Sequence, residues 1–130
     1  CIRDSVSTAL GHMPWANVLG LAATEAAFTL CGDWHRELLQ YLRENRDYLH
    51  REINAIDGLE MLLPQATYLA WVDGSGLGEA VLDGRLPQKY FEDKGIGPSP
   101  GADFGDKNFV RLNYGCPRSY LELALERIKA

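Results

Sequence analysis

The sequence predicts a small α/β domain of the α+β kind: a short sheet of three or four strands covered by helices, with one long helix leading into it. Three observations predict this. Residues 33–57 repeat apolar side chains at three- and four-residue steps, as a long amphipathic helix does. Residues 67–72 and 109–114 are rich in aromatic and β-branched residues and read as strands. Residues 121–129 carry an apolar stripe of Leu121, Leu125 and Ile128, preceded by Ser119 and Glu122 in the spacing of a capping box.

In chain order, residues 1–16 show no clear period, and the run from His12 through Trp15 reads as a loop, with Asn17 as N-cap of a helix that begins at Val18. Residues 18–30 are apolar on almost every side, and Ala22, Ala23, Ala26 and Ala27 form a small-residue surface that admits another backbone. Such a helix is expected to be buried. Gly32 is expected to end it and Asp33 to cap the next. In 33–57, Trp34, Leu38, Leu42, Leu49, Ile53 and Ile56 mark the apolar side, charged residues fill the rest, and Gly58 closes the helix.

Residues 59–63 suit a short strand and Pro64-Gln65 a turn before the strand at 67–72. Gly74-Ser75-Gly76-Leu77-Gly78 lacks the spacing and following lysine of a phosphate loop and reads as a turn. Two short helices come next, the second over 87–94, started by Pro87. Residues 96–100 are then extended, 101–106 form a loop and Lys107-Asn108 a tight turn.

The run from Phe109 to Arg118 sets a single arginine inside an apolar strand. Alternation puts Val110, Leu112 and Tyr114 on one face, and Phe109, Arg111 and Asn113 on the other. A guanidinium taken from water needs a partner, so Arg111 either pairs with a carboxylate of this chain or waits for one that arrives as ligand. Asn113 either orients Arg111 or bonds to backbone at the strand end. Arg118, beyond Pro117, is expected to salt-bridge to an acidic neighbour, and Tyr68 and Trp71 to belong mainly to the core, with Tyr68 able to edge a pocket.

The chain has 130 residues, 46% hydrophobic and 24% charged, the balance of a soluble folded domain with its own core. Its net charge of −5 is spread along the chain with no basic tract, so nothing asks for nucleic acid. No apolar run reaches the length of a membrane span. Cys1, Cys31 and Cys116 are odd in number and widely spaced, which points to reduced thiols in a cytoplasmic protein rather than to a disulfide or zinc framework. The chain opens on Cys1 and stops at Ala130 inside an unfinished helical pattern, the look of a piece of a longer protein.

The run Phe109 to Arg118, with Ala66-Thr67-Tyr68-Leu69-Ala70-Trp71-Val72-Asp73 upstream and Asp103-Phe104-Gly105 between, resembles the C-terminal portion of the fold-type I pyridoxal-phosphate enzymes. Within the class I/II aminotransferase superfamily it is most similar to the cystathionine β-lyases and C–S lyases of the MalY/PatB type. The resemblance spans nearly the whole chain. It implies that 1–32 is a remnant of a large cofactor-binding domain, 33–57 an interdomain helix, and 58–130 the small C-terminal domain of the PLP-dependent transferase fold. It implies that Arg111 binds the α-carboxylate of an amino-acid substrate such as cystathionine or another cysteine S-conjugate, with Asn113 and Tyr68 as weaker substrate-binding candidates. It places the loop holding His12 and Trp15 near the active site of a partner subunit in a homodimer; the bare sequence makes His12 an exposed histidine.

Pyridoxal 5'-phosphate chemistry requires a lysine, and this chain has Lys89, Lys94, Lys107 and Lys129 alone. None sits in an apolar or Ser/Thr-flanked setting that would depress its pKa, and none matches the family's cofactor lysine. The expectation is therefore a C-terminal fragment of a C–S β-lyase, with the cofactor in the full-length parent, no catalytic residue here, no metal site, no cofactor in the fragment and no activity alone. The alternatives are the C-terminal domain of an aminotransferase, or a non-catalytic carboxylate-binding or dimerisation module resting on the apolar 18–30 helix.

Overall fold

Helices and strands follow one another in pairs in a computed structural model that describes residues 17–130; His12, Trp15 and Cys1 lie outside the described residues. The described residues divide into two compact units, with the boundary between Glu37 and Leu38.

In the first unit, α1 spans Val18–Leu30, and its N-cap is Asn17, whose side chain accepts the Gly20 N–H at 2.7 Å. The expected burial of this helix is not met. None of its residues is buried, and Val18, Leu19, Phe28 and Leu30 are each more than three-quarters exposed. An all-round apolar composition suits a helix to being enclosed, but it cannot supply the enclosing surface. The break after α1 falls at Cys31, and the long helix α2, Gly32–Ile53, starts at Gly32 rather than being capped by Asp33. Asp33 lies in its first turn and pairs with Arg36.

In the second unit, α2 buries Asn45, Leu49 and Ile53, one residue per turn along one stripe. The helix stops at Ile53, four residues short of the expected end, because Asn54 turns its side chain to the next element. Its Oδ1 accepts the Met61 N–H at 2.9 Å, and its Nδ2 donates to the Met61 carbonyl at 3.0 Å. Gly58 then adopts φ +86°, where a Cβ would stand 2.7 Å from the Gly76 carbonyl oxygen.

The sheet has four strands: β1 (Glu60–Met61), β2 (Leu69–Asp73), β3 (Ser99–Pro100) and β4 (Phe109–Asn113), in the spatial order β1-β2-β4-β3 and antiparallel throughout. Between β2 and β3 lie α3 (Gly78–Leu82) and α4 (Pro87–Asp93), and α5 (Arg118–Lys129) ends the chain. The sheet begins later than expected at β2, because Thr67 takes φ +68° and cannot extend it. Residues 101–104, expected as open loop, form a 3₁₀ turn.

One face of the sheet is closed. Met61, Ala70, Val72 and Val110 are at most 1% exposed and cluster with Leu49 and Ile53 of α2, Phe91 of α4, and Leu121, Leu125 and Ile128 of α5. The predicted α5 stripe is thus the buried one. Its capping box does not form: the N-cap position is Pro117 with no side-chain bond, and Ser119 already lies inside the first turn.

Candidate functional site

Arg111 lies in the middle of β4, opposite Trp71 of β2 on one side and Ser99 of β3 on the other. Residues opposite one another in an antiparallel pair share a face, so these three stand on the side of the sheet away from the core. The alternation read from sequence is observed: Val110 and Tyr114 are buried, Phe109 and Arg111 half-buried and Asn113 exposed.

The guanidinium is held by two neighbours. Its Nη2 donates to the Ser99 Oγ at 3.3 Å, a long bond, and its Cζ stands 4.2 Å from the centre of the Phe104 ring. Phe104 is placed by the 3₁₀ turn, and that turn depends on Gly101, where a Cβ would meet the Asp106 and Phe109 carbonyl oxygens at 2.3 Å. Trp71 completes the wall. It stacks on Phe109 at 5.3 Å and 11°, and meets Phe104 edge-on at 5.9 Å and 86°.

Arg111 makes no ion pair among the described residues, whereas Arg36, Arg46, Arg51 and Arg85 each pair with a carboxylate. Of the two partners open to it on sequence, a carboxylate of this chain is not the one found among those residues. Among the described residues, then, Arg111 is a half-buried cation with one weak neutral acceptor, an aromatic plate on one side and no counter-charge: an arrangement that favours an anion.

Asn113 and Tyr68 are not hydrogen-bonded to Arg111. The Asn113 Oδ1 accepts the Gly115 N–H at 2.8 Å, the strand-end bond that its position allowed. Tyr68 is 50% exposed and so is no core residue; its carbonyl accepts the Tyr114 N–H at 2.9 Å. Its ring and Cβ stand close enough to Gly115 that a Cβ there would lie 3.2 Å away. Arg118 departs from expectation too. Its backbone N–H donates to the Tyr41 hydroxyl at 2.7 Å, and its guanidinium lies over the Tyr48 ring at 4.3 Å instead of pairing with an acid among the described residues.

Ser99 and Phe104 carry no signal in the sequence that marks them as neighbours of Arg111. Ser99 meets it only through the β3–β4 register, and Phe104 through a turn that composition does not announce. The Asp-Phe-Gly run beside Gly101 is the one available hint.

Three of the four lysines are engaged within the chain. Lys89 pairs with Glu92 at 2.7 Å, and that bond holds its ammonium more firmly protonated than usual. Lys129 pairs with Glu52 at 2.5 Å, Lys94 sits 5.0 Å over the Tyr90 ring, and Lys107 is exposed. Burial pushes the Cys116 thiol up, away from the thiolate a nucleophile requires. Among the described residues no group of three His, Cys, Asp or Glu could hold a metal, and no helix is long and apolar enough to cross a membrane.

Comparison with known proteins adds the remaining finding. Residues 6–128 match the family model of class I and II aminotransferases. The chain is 38% identical to protein MalY of Escherichia coli strain K12 over 109 residues, covering 82% of this chain and 27% of that protein. It is 32% identical to the cystathionine β-lyase PatB of Bacillus subtilis strain 168 over 117 residues, 88% of this chain and 30% of that one. A crystal structure of the PLP-bound C–S lyase from Staphylococcus hominis superposes with a TM-score of 0.78 at 28% identity, covering 97% of this chain and 34% of that one. The chain thus spans less than a third of the length of the curated relatives it matches.

Proposed function

The chain belongs to the family of class I and II aminotransferases, and from that premise we propose that it is the substrate-gripping C-terminal part of a pyridoxal-phosphate-dependent C–S β-lyase of the cystathionine β-lyase type. The single observation behind this reading is Arg111: half-buried, braced by Phe104 and Ser99, and without a carboxylate among the described residues. Its planar fork receives the α-carboxylate of an amino acid through two parallel N–H···O bonds, and the Phe104 plate restricts its rotation. Fixing the carboxylate fixes Cα, the point from which a proton must leave and beyond which a sulfur leaving group departs.

The cofactor would supply the electron sink for that chemistry, and the residues that hold it are assigned to the rest of the protein. On this reading residues 1–32 belong to the large domain, 33–57 to the interdomain helix and 58–130 to the small domain of a cytoplasmic homodimer. The match to PatB, named a cystathionine β-lyase, favours elimination over transamination.

The test uses the full-length protein. With pyridoxal phosphate and cystathionine it is expected to show the cofactor's absorbance and to release thiol without a keto-acid acceptor. Arg111→Lys, which replaces the fork by a point charge, lowers kcat/KM by about tenfold or more and leaves the absorbance intact. Turnover only with a keto-acid acceptor would make the protein an aminotransferase, and unchanged kinetics in Arg111→Lys would remove Arg111 from the site.

A further inference from the structure

We propose that Asn45 is a positioning residue for Arg111: from within the core it ties the exit of β4 to α2 and thereby sets where the guanidinium is held. The inference rests on the reading of Arg111 as the carboxylate grip.

Asn45 occupies a place where the helix pattern calls for an apolar residue. It precedes Leu49 and Ile53 at four-residue steps on the buried stripe of α2 and is itself 0% exposed. Both of its amide donors are spent on the chain leaving β4, with Nδ2 donating to the Tyr114 carbonyl at 3.0 Å and to the Cys116 carbonyl at 2.9 Å. Its Oδ1 is buried with no partner among the described residues. A buried amide with an unpaired oxygen is unfavourable compared with a packed leucine.

A second departure from local rules lies on the same network. Tyr114, three residues beyond Arg111, donates its N–H to the Tyr68 carbonyl at 2.9 Å and its hydroxyl to the Thr67 carbonyl at 2.9 Å. Thr67 has φ +68°, a left-handed conformation that a β-branched residue adopts only when its surroundings impose it. The entrance of β2 and the exit of β4 are therefore clamped together through Tyr114, and Asn45 fastens the clamp to α2. These two strands carry Trp71 and Arg111. Costs of this kind gather where a side chain must be held to a fraction of an ångström.

The experiment uses the full-length holoenzyme and two ligands, the amino-acid substrate and the corresponding amine that lacks the α-carboxylate. Asn45→Leu keeps the branched shape and the number of side-chain heavy atoms and removes both donors. The expected result is intact cofactor absorbance, a KM for the amino acid raised about tenfold, unchanged inhibition by the amine, and no further loss when the change is added to Arg111→Lys. Equal weakening of both ligands, or losses that simply multiply in the double variant, would make Asn45 a purely structural residue and overturn the proposal. If Asn45→Leu does not fold, Asn45→Ser, which keeps one donor, is put through the same comparison. If Arg111→Lys itself fails to discriminate the two ligands, the reading of Arg111 falls and this inference with it. If Arg111→Lys discriminates and the Asn45 variants do not, only the inference falls.

Discussion

On its inner face the sheet presents Met61, Ala70, Val72 and Val110, each at most 1% exposed, to helices that meet them with Leu49, Phe91, Leu121 and Leu125. On its outer face the neighbouring residues of the same strands, Trp71, Phe109 and Arg111, remain half-buried. The inner face is satisfied by contacts within the chain. The outer face is satisfied only as far as one aromatic plate and one serine hydroxyl allow, and its cation is left with capacity for an anion. Period-2 alternation lets one pair of strands do both, since each residue that stabilises is followed by one that is free to recognise.

Substitutions on the two faces should therefore separate stability from recognition. The largest effect is expected on the inner face, where Phe91 is 0% exposed: Phe91→Ala in the full-length protein should cost about 3–5 kcal/mol of stability. Denaturant unfolding measures this. A cost below about 1 kcal/mol would mean that the core is not organised around that ring. On the outer face, Phe104→Leu should leave stability nearly unchanged, since Phe104 is already half-exposed. On the proposed reading of Arg111 it should weaken binding of the α-carboxylate by about 0.5–2 kcal/mol, read as a rise in KM for amino acids but not for the matching amines. A loss of stability without a change in KM would erase the distinction between the faces.

The smallest effect concerns the rim where α5 meets α2. The bond from Lys129 holds the Glu52 carboxyl below its ordinary value near 4.5, with Arg51 assisting. Because the folded pKa is the depressed one, this contribution is complete above about 4.5 and fades as pH falls through the folded value. Both side chains are partly exposed, so its size is well under about 1 kcal/mol. Glu52→Gln should lower the neutral plateau of the stability profile slightly and leave its acid end unchanged, so that the acid limb flattens; an equal shift of the whole curve would contradict that.

Much of this arrangement was legible in the residues. The face of Arg111 came from alternation, the Asn17 cap from its side chain, and the Leu121, Leu125, Ile128 stripe from helical spacing, because each depends on neighbours within a turn or a strand. Asn45 was hidden for the opposite reason. A polar residue in an apolar stripe reads as a flaw in the pattern until the carbonyls 69 and 71 positions away are seen against it. The fate of Arg118, which found a tyrosine ring of α2, likewise turned on an element brought in from afar.

By itself the sequence determined the order and kind of the main elements, the face on which Arg111 stands and the family resemblance, since backbone periodicity and local side-chain chemistry are written in consecutive residues. Only the tertiary structure decided what Arg111 meets: Ser99 through strand register, Phe104 through a turn closed at Gly101, and a β4 exit fastened by Asn45. Partners distant along the chain come within bonding range only when the sheet closes, and no local period encodes which of them will arrive.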